Sequence, residues 1–172
     1  IFGCGQIGSA SDELFSDQDP RVLSHARACI MRPELELVGL CDPDGDRART
    51  AAQARGISPE SAVGDPQALL DLGLDVAVIA ASTDVHLKLL RSCITSGVPL
   101  VVCEKPVGTG TEGLSRLLED AEERGVRVVV NYMRRFLSPL SEAVQWAHRG
   151  GLGALQHGTV RYPKGLLNCG SH

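Results

Sequence analysis

With 172 residues the chain is long enough to bury one full core and part of a second. A net charge of −4 and an aromatic content of 3% offer no basic face for nucleic acid or an anionic membrane and no stacking platform for single strands. No apolar run approaches the roughly 20 residues needed to span a bilayer. Cys4, Cys29, Cys41, Cys93, Cys103 and Cys169 are scattered, without a CxxC pair or a His cluster at metal spacing. They are expected to be reduced thiols in a cytoplasmic protein with no metal site.

In chain order, strand-like apolar runs are expected at Ile1–Phe2, Leu35–Cys41, Asp75–Ala80, Pro99–Cys103 and Val126–Asn131. Each is short and rich in Val, Ile or Leu, as in strands covered on both faces. Helical stretches fall near Arg21–Met31, Asp44–Arg55, Asp84–Ser96 and Thr111–Arg124, and a shorter helix begins at Asp65-Pro66, an N-cap followed by Pro. Gly56, Gly97 and Gly125 each stand between a helix and the next strand, where a C-terminal cap belongs. This alternation predicts an α/β, doubly wound parallel sheet.

After Asn131 the rhythm changes. Ser138–Arg149 is expected as an amphipathic helix with Ser138 as N-cap and Pro139 next, and Leu155–Tyr162 as a strand. The reading is therefore residues 1–135 as a dinucleotide-binding domain and 136–172 as the opening of an α+β substrate domain. Ile1 stands inside a strand and His172 at a helix start, so the sequence reads as a piece of a longer chain. The polar segment Ser9–Pro20 is expected as a solvated loop or, alternatively, as a lid beside Gly8.

Gly3-x-Gly5-x-x-Gly8 matches the dinucleotide fingerprint, which needs a tight turn, close approach of backbone to pyrophosphate and close helix–strand packing. Gly108-x-Gly110-x-x-Gly113 matches too, but the strand after it ends in Asn131, whereas the strand after the first match ends in Asp42. The second match is therefore a loop and helix start. Asp42 lies 34 residues beyond Gly8, more than the usual spacing of about 20, and Ser9–Pro20 accounts for most of the excess. Asp42 is either the acceptor for the adenosine ribose hydroxyls or a strand-end or helix-capping Asp. With Asp44 and Asp46 beside it, a 2′-phosphate meets repulsion, so NAD is favoured; Arg47 leaves NADP possible.

Glu104-Lys105-Pro106 follows the fourth strand-like run, at the sheet edge where ligands of open parallel sheets bind. Pro106 holds that turn rigid, a cis peptide bond being one way to do so. GCGQIG, LVGLCD, AASTDVH, CEKP, NYMRRF and KGLLNCGSH occur in this order. Together, over essentially the whole chain, they resemble the glucose-fructose oxidoreductase / inositol dehydrogenase (Gfo/Idh/MocA) family, with EKP the most specific element.

The resemblance implies a Rossmann domain followed by an α+β substrate domain, a homo-oligomer, and hydride transfer between NAD or NADP and a carbinol carbon of a sugar, cyclitol or sugar nucleotide. It implies cofactor contacts from Gly3, Gly5, Gln6, Ile7, Gly8, Asp42, Ser82, Thr83, His86, Glu104 and Lys105. Ser82 or Thr83 equally suits a helix N-cap. Lys105 and His172 would be catalytic, the first on the reacting hydroxyl and the second as general acid/base. Substrate contacts would come from Lys105, Arg134, Asn168 and His172. Asn131, Arg134 and Arg135 either approach substrate or form interdomain hydrogen bonds. Asn168 stands where the family motif has Asp, so it supplies no negative charge to an imidazolium. That departure keeps a second function open, a non-catalytic dinucleotide- or sugar-sensing protein on the same scaffold.

Overall fold

A computed structural model describes residues 1–16, 18–151, 153–154, 156–157 and 159. The strand expected at Leu155–Tyr162 falls largely outside these residues, and Asn168, Cys169 and His172 fall wholly outside them. The chain divides into a first compact unit, Ile1–Tyr132, and a second that begins at Met133.

Among its described residues the first unit holds five short strands, β1 (Leu40–Cys41), β2 (Ala62–Val63), β3 (Val76–Ile79), β4 (Leu100–Cys103) and β5 (Arg127–Val130). Its helices are α1 (His25–Ile30), α2 (Gly45–Ala54), α3 (Pro66–Leu70), α4 (Thr83–Thr95) and α5 (Leu114–Glu123). β1 pairs with β2, β3 with β4 and β4 with β5, all parallel. Phe2 joins the two sets, bridging Cys41 on one side and Ile79 on the other. Its amide donates to Val78 O at 2.8 Å, and the Gly3 amide donates to Cys41 O at 2.7 Å. The order across the sheet is thus β2, β1, Phe2, β3, β4, β5, with the reversal of winding at Phe2. The doubly wound parallel α/β fold is as the sequence implies.

Both faces carry apolar packing, although along β3 and β4 one face is buried and the other half-buried or exposed. On one face Phe2, Ile79, Val101 and Cys103 meet Leu69, Leu90, Ile94 and Leu117. On the other Ile1, Cys4 and Leu40 meet Ala26, Ala48, Ala51 and Ala52. The small alanines of α2 let that helix lie close against the sheet. Gly56, Gly97 and Gly125 carry φ of 67°, 70° and 68°, the left-handed turn that ends each helix without a Cβ clash. Asp65 caps α3 through the Gln67 amide, with Pro66 first in the helix.

Four local expectations differ from the structure. The strand predicted from Leu35 is paired only at Leu40–Cys41, because β2 offers just two partners; Leu35 and Val38 stay exposed. β2 itself, in the polar run ISPESAVGD, went without a strand signal. In the second unit α6 spans Ser138–His148; Leu137 is its N-cap and Ser138 its first residue, with no side-chain cap. The fourth concerns Ser9–Pro20.

That segment is not simply a solvated loop, because Ser9 and Asp12 are buried. Asp12 pairs with Arg55 at 2.7 Å and accepts from the Leu23 and Ser24 amides and the Ser24 hydroxyl. Arg55 also donates to the Ser9 carbonyl. Arg27 reaches back to the carbonyls of Ser16, Asp19 and Arg21. The excursion therefore packs on its own polar groups, as compact surface loops do. α1 begins only where it ends, with Ser24 as N-cap accepting from the Arg27 amide.

Candidate functional site

The fingerprint glycines each meet a different constraint. Gly3 has φ of 95°, and a Cβ there would lie 2.6 Å from the Ala81 nitrogen and 2.7 Å from the Ala80 oxygen. A Cβ on Gly8 would collide with the Gly3 carbonyl. A Cβ on Gly5 would meet nothing within 4 Å. Gly3 and Gly8 are thus small so that the turn can close on β3 and on itself. Gly5 instead opens onto space. That space is where the pyrophosphate of a dinucleotide would approach the backbone, beside amides of a first helical turn that lack a preceding carbonyl partner. The residues present therefore fit a dinucleotide.

Gly5 faces a cleft of about 410 Å³ lined also by Phe2, Gly3, Cys41, Asp42, Pro43, Arg47, Gly64, Ala81, Ser82 and Lys88. Asp42, almost wholly buried, stands at the end of β1. Its Oδ2 accepts from the Cys4 amide inside the glycine turn at 2.9 Å, and its Oδ1 from the Asp44 amide at 3.0 Å. Arg47 Nη1 also reaches both oxygens, Oδ1 at 3.4 Å and Oδ2 at 3.5 Å. Arg47 pairs with Asp44 as well. Asp44 caps α2 through the Asp46 and Arg47 amides. Capping is thus the work of Asp44, and Asp42 ties the turn to the helix while facing the cleft.

Of the other expected residues, Ser82 lines the cleft as the N-cap residue of α4, with no capping hydrogen bond from its side chain. Thr83 is the first residue of α4 and lies outside the lining. His86 differs from its expected place. It is 1% exposed, with Nδ1 2.8 Å from Pro106 O and Nε2 2.9 Å from Ala81 O. Its ring stands between the loop after β3 and the loop after β4, with a backbone carbonyl at each nitrogen. Gln6, Ile7, Gly8, Glu104 and Lys105 also stand outside the lining.

Glu104 and Lys105 form the turn after β4, and the Lys105–Pro106 bond is cis. Lys105 is exposed. Glu104 Oε1 lies 2.8 Å from His25 Nε2 and accepts from Asn131 Nδ2 at 2.6 Å. Burial alone would raise this carboxyl, but the hydrogen bonds from His25 and Asn131 outweigh it and hold Glu104 below the usual carboxylate value. His25 and Lys88 carried no sequence signal, since each reads as an ordinary helix residue. In the second unit Arg134 lies in the 3₁₀ turn Met133–Phe136, and the Ser141 hydroxyl donates to Arg135 O.

Residues 1–132 match the Gfo/Idh/MocA family model, described as an oxidoreductase family with an NAD-binding Rossmann fold. The chain belongs to this family. It is 36% identical over 174 positions to inositol 2-dehydrogenase 2 of Saccharopolyspora erythraea, covering 96% of this chain and 46% of that protein. An inositol dehydrogenase homolog from Azotobacter vinelandii, solved with NAD+, superposes with a TM-score of 0.68 at 25% identity, covering 74% of this chain and 35% of the other. The WlbA dehydrogenase of Bordetella pertussis, solved with NADH and UDP-GlcNAcA, superposes with a TM-score of 0.70 at 25% identity, covering 88% and 39%. The chain spans less than half the length of these relatives. Among the described residues no helix is long and apolar enough to cross a membrane.

Proposed function

We propose that this Gfo/Idh/MocA chain binds NAD(H) in the cleft and serves a dehydrogenase acting on a carbinol carbon of a sugar, cyclitol or sugar nucleotide. The observation that carries this reading is the open space over Gly5 next to the enclosed carboxylate of Asp42. Asp42 takes the adenosine ribose hydroxyls, and Asp44 and Asp46 disfavour a 2′-phosphate. Ser82 contacts the cofactor from the start of α4. The bound nicotinamide supplies or accepts the hydride. Lys105 hydrogen-bonds the reacting hydroxyl and stabilises its alkoxide character, and His172 moves the proton. Arg134 and Asn168 contact substrate.

Residues 1–135 form the dinucleotide-binding part and 136–172 open an α+β substrate part. The protein acts in the cytoplasm as a homo-oligomer. The relatives support the substrate class, one named for inositol and another, D-apiose dehydrogenase of Paraburkholderia graminis, for a sugar, at 36% and 33% identity.

Asn168 in place of the motif's Asp favours a second reading, a sensor that binds cofactor and ligand without turnover. Fluorescence titration of the chain with NADH and NADPH, beside Asp42→Ala, tests the cofactor assignment. Tighter NADH binding that is lost or shifts toward NADPH in the variant is expected. Absence of binding by a folded chain overturns the assignment. Binding without turnover by a longer chain, on a polyol and sugar-nucleotide panel, would select the sensor.

A further inference from the structure

We propose that His25 is a positioning residue for the nicotinamide half of the bound dinucleotide, acting through Glu104. This inference rests on the dinucleotide reading above and extends it to a residue far from the adenosine end. Its basis is the juxtaposition of three side chains from three elements. His25 opens α1, Glu104 follows β4 and Asn131 follows β5, and both partners meet the same oxygen, Glu104 Oε1, at 2.8 and 2.6 Å. The His25 and Glu104 side chains are only 16% and 13% exposed. The backbone beneath them is fixed as well. The Glu104 amide donates to Ile79 O at 2.9 Å and the Asn131 amide to Cys103 O at 2.8 Å.

The strand order places this cluster relative to the cleft. Asp42 ends β1 on one side of Phe2, and Glu104 ends β4, two strands away on the other side. A dinucleotide with its adenosine ribose on Asp42 and its pyrophosphate over Gly5 must run its second nucleoside toward the ends of β3 and β4. The Glu104–Lys105 turn stands there. A carboxylate gripped from α1 and from β5 fixes the start of that turn. Without His25, Glu104 keeps a single side-chain partner, and the turn gains freedom that the second nucleoside must remove on binding. The adenosine half is held by other groups and is insensitive to the change.

The test compares NADH with ADP, which lacks the second nucleoside, in titrations of the full 172-residue chain. His25→Ala should weaken NADH about tenfold and leave ADP within about twofold. His25→Gln, which keeps an N–H donor, should restore most of the NADH affinity. Glu104→Gln, close in size and needing no His25 to fold, should show the same selective loss. The double variant His25→Ala/Glu104→Gln should be no weaker than either single one, as residues acting through one another require. Equal weakening of both ligands, or of neither, overturns the positioning role while the dinucleotide reading stands. A wild-type chain that binds neither ligand overturns both.

Discussion

The amide of His25 donates to the carbonyl of Ile7 at 2.9 Å, and the next amide, Ala26, donates to Gly8 at 2.9 Å. In an uninterrupted helix those carbonyls would serve residues 11 and 12. The helix that starts at the glycine turn is therefore resumed by α1 with an offset of 14 residues (25 less 11), and the intervening segment loops out. Subtracting 14 from the 34 residues between Gly8 and Asp42 leaves 20, the usual interval from fingerprint to ribose-binding acid. The excursion lengthens the sequence without moving the site.

A deletion in phase with the helix should thus be tolerated. Removing residues 11–24, fourteen in all, joins Ala10 to His25 and keeps the bonds to Ile7 and Gly8. Asp12 leaves with it, so Arg55 opens to solvent beside the Ser9 carbonyl. Helical circular dichroism and NADH affinity within about threefold of the parent are expected. Removing only residues 11–22 leaves two extra residues, which turn His25 by roughly 200° about the axis. That variant should lose NADH binding. Equal behaviour of the two deletions would contradict a continued helix.

The excursion is closed by the buried Asp12–Arg55 pair, so Arg55→Ala strands a carboxylate among the Leu23 and Ser24 amides. Loss of one partner of a buried pair costs about 3–5 kcal/mol, and urea unfolding should show a loss of that order. Arg49→Ala, which breaks an exposed pair with Asp46, should move the midpoint far less.

Among the described residues three carboxylates are held low, and one of them, Asp19, lowered to about 2 by hydrogen bonds from Arg21, lies at the surface. Asp12 and Glu104 are both held below their ordinary values of 3.8 and 4.5. Burial opposes this in each, and the bonds from Ser24, Leu23 and Arg55 in one case and His25 and Asn131 in the other outweigh it. A folded pKa below the unfolded one contributes stability that is fully present above the unfolded value and is lost as pH falls through the folded value. Stability should therefore decline below about pH 4.5. Glu104→Gln should flatten the upper part of that decline, and an unchanged profile would contradict it.

Several features were legible because their causes are local. A glycine after a helix, Asp before Pro66 and Pro after Lys105 act through the φ and donors of their own residues, and all three stand as the sequence implies. The fold class follows from the apolar runs, which reflect apolar packing on two faces. What stayed hidden depends on partners distant in sequence. β2 exists through two residues of pairing with β1. His86 owes its place to carbonyls five and twenty residues away. His25 meets Glu104 only because the excursion returns α1 to its axis, and no periodicity records that.

The thiols offer a check on core packing. Burial pushes Cys93 up to about 12, burial and then the Asp42 charge push Cys4 to about 12, and burial raises Cys41 and Cys103 to about 11. Since thiolate is the reactive form, these four should resist a disulfide reagent at neutral pH until the chain unfolds. Half-buried Cys29 should react earlier. Prompt labelling of Cys93 in the native chain would contradict the packing of α4 on the sheet.

The most direct measurement is NADH titration of Gly5→Val. A Cβ at Gly5 meets nothing within 4 Å beyond its chain neighbours, so the fold should survive. It would fill the space over the glycine turn assigned to the pyrophosphate. Native circular dichroism with NADH binding abolished is expected. A variant that binds NADH as the parent does would remove the dinucleotide from this cleft.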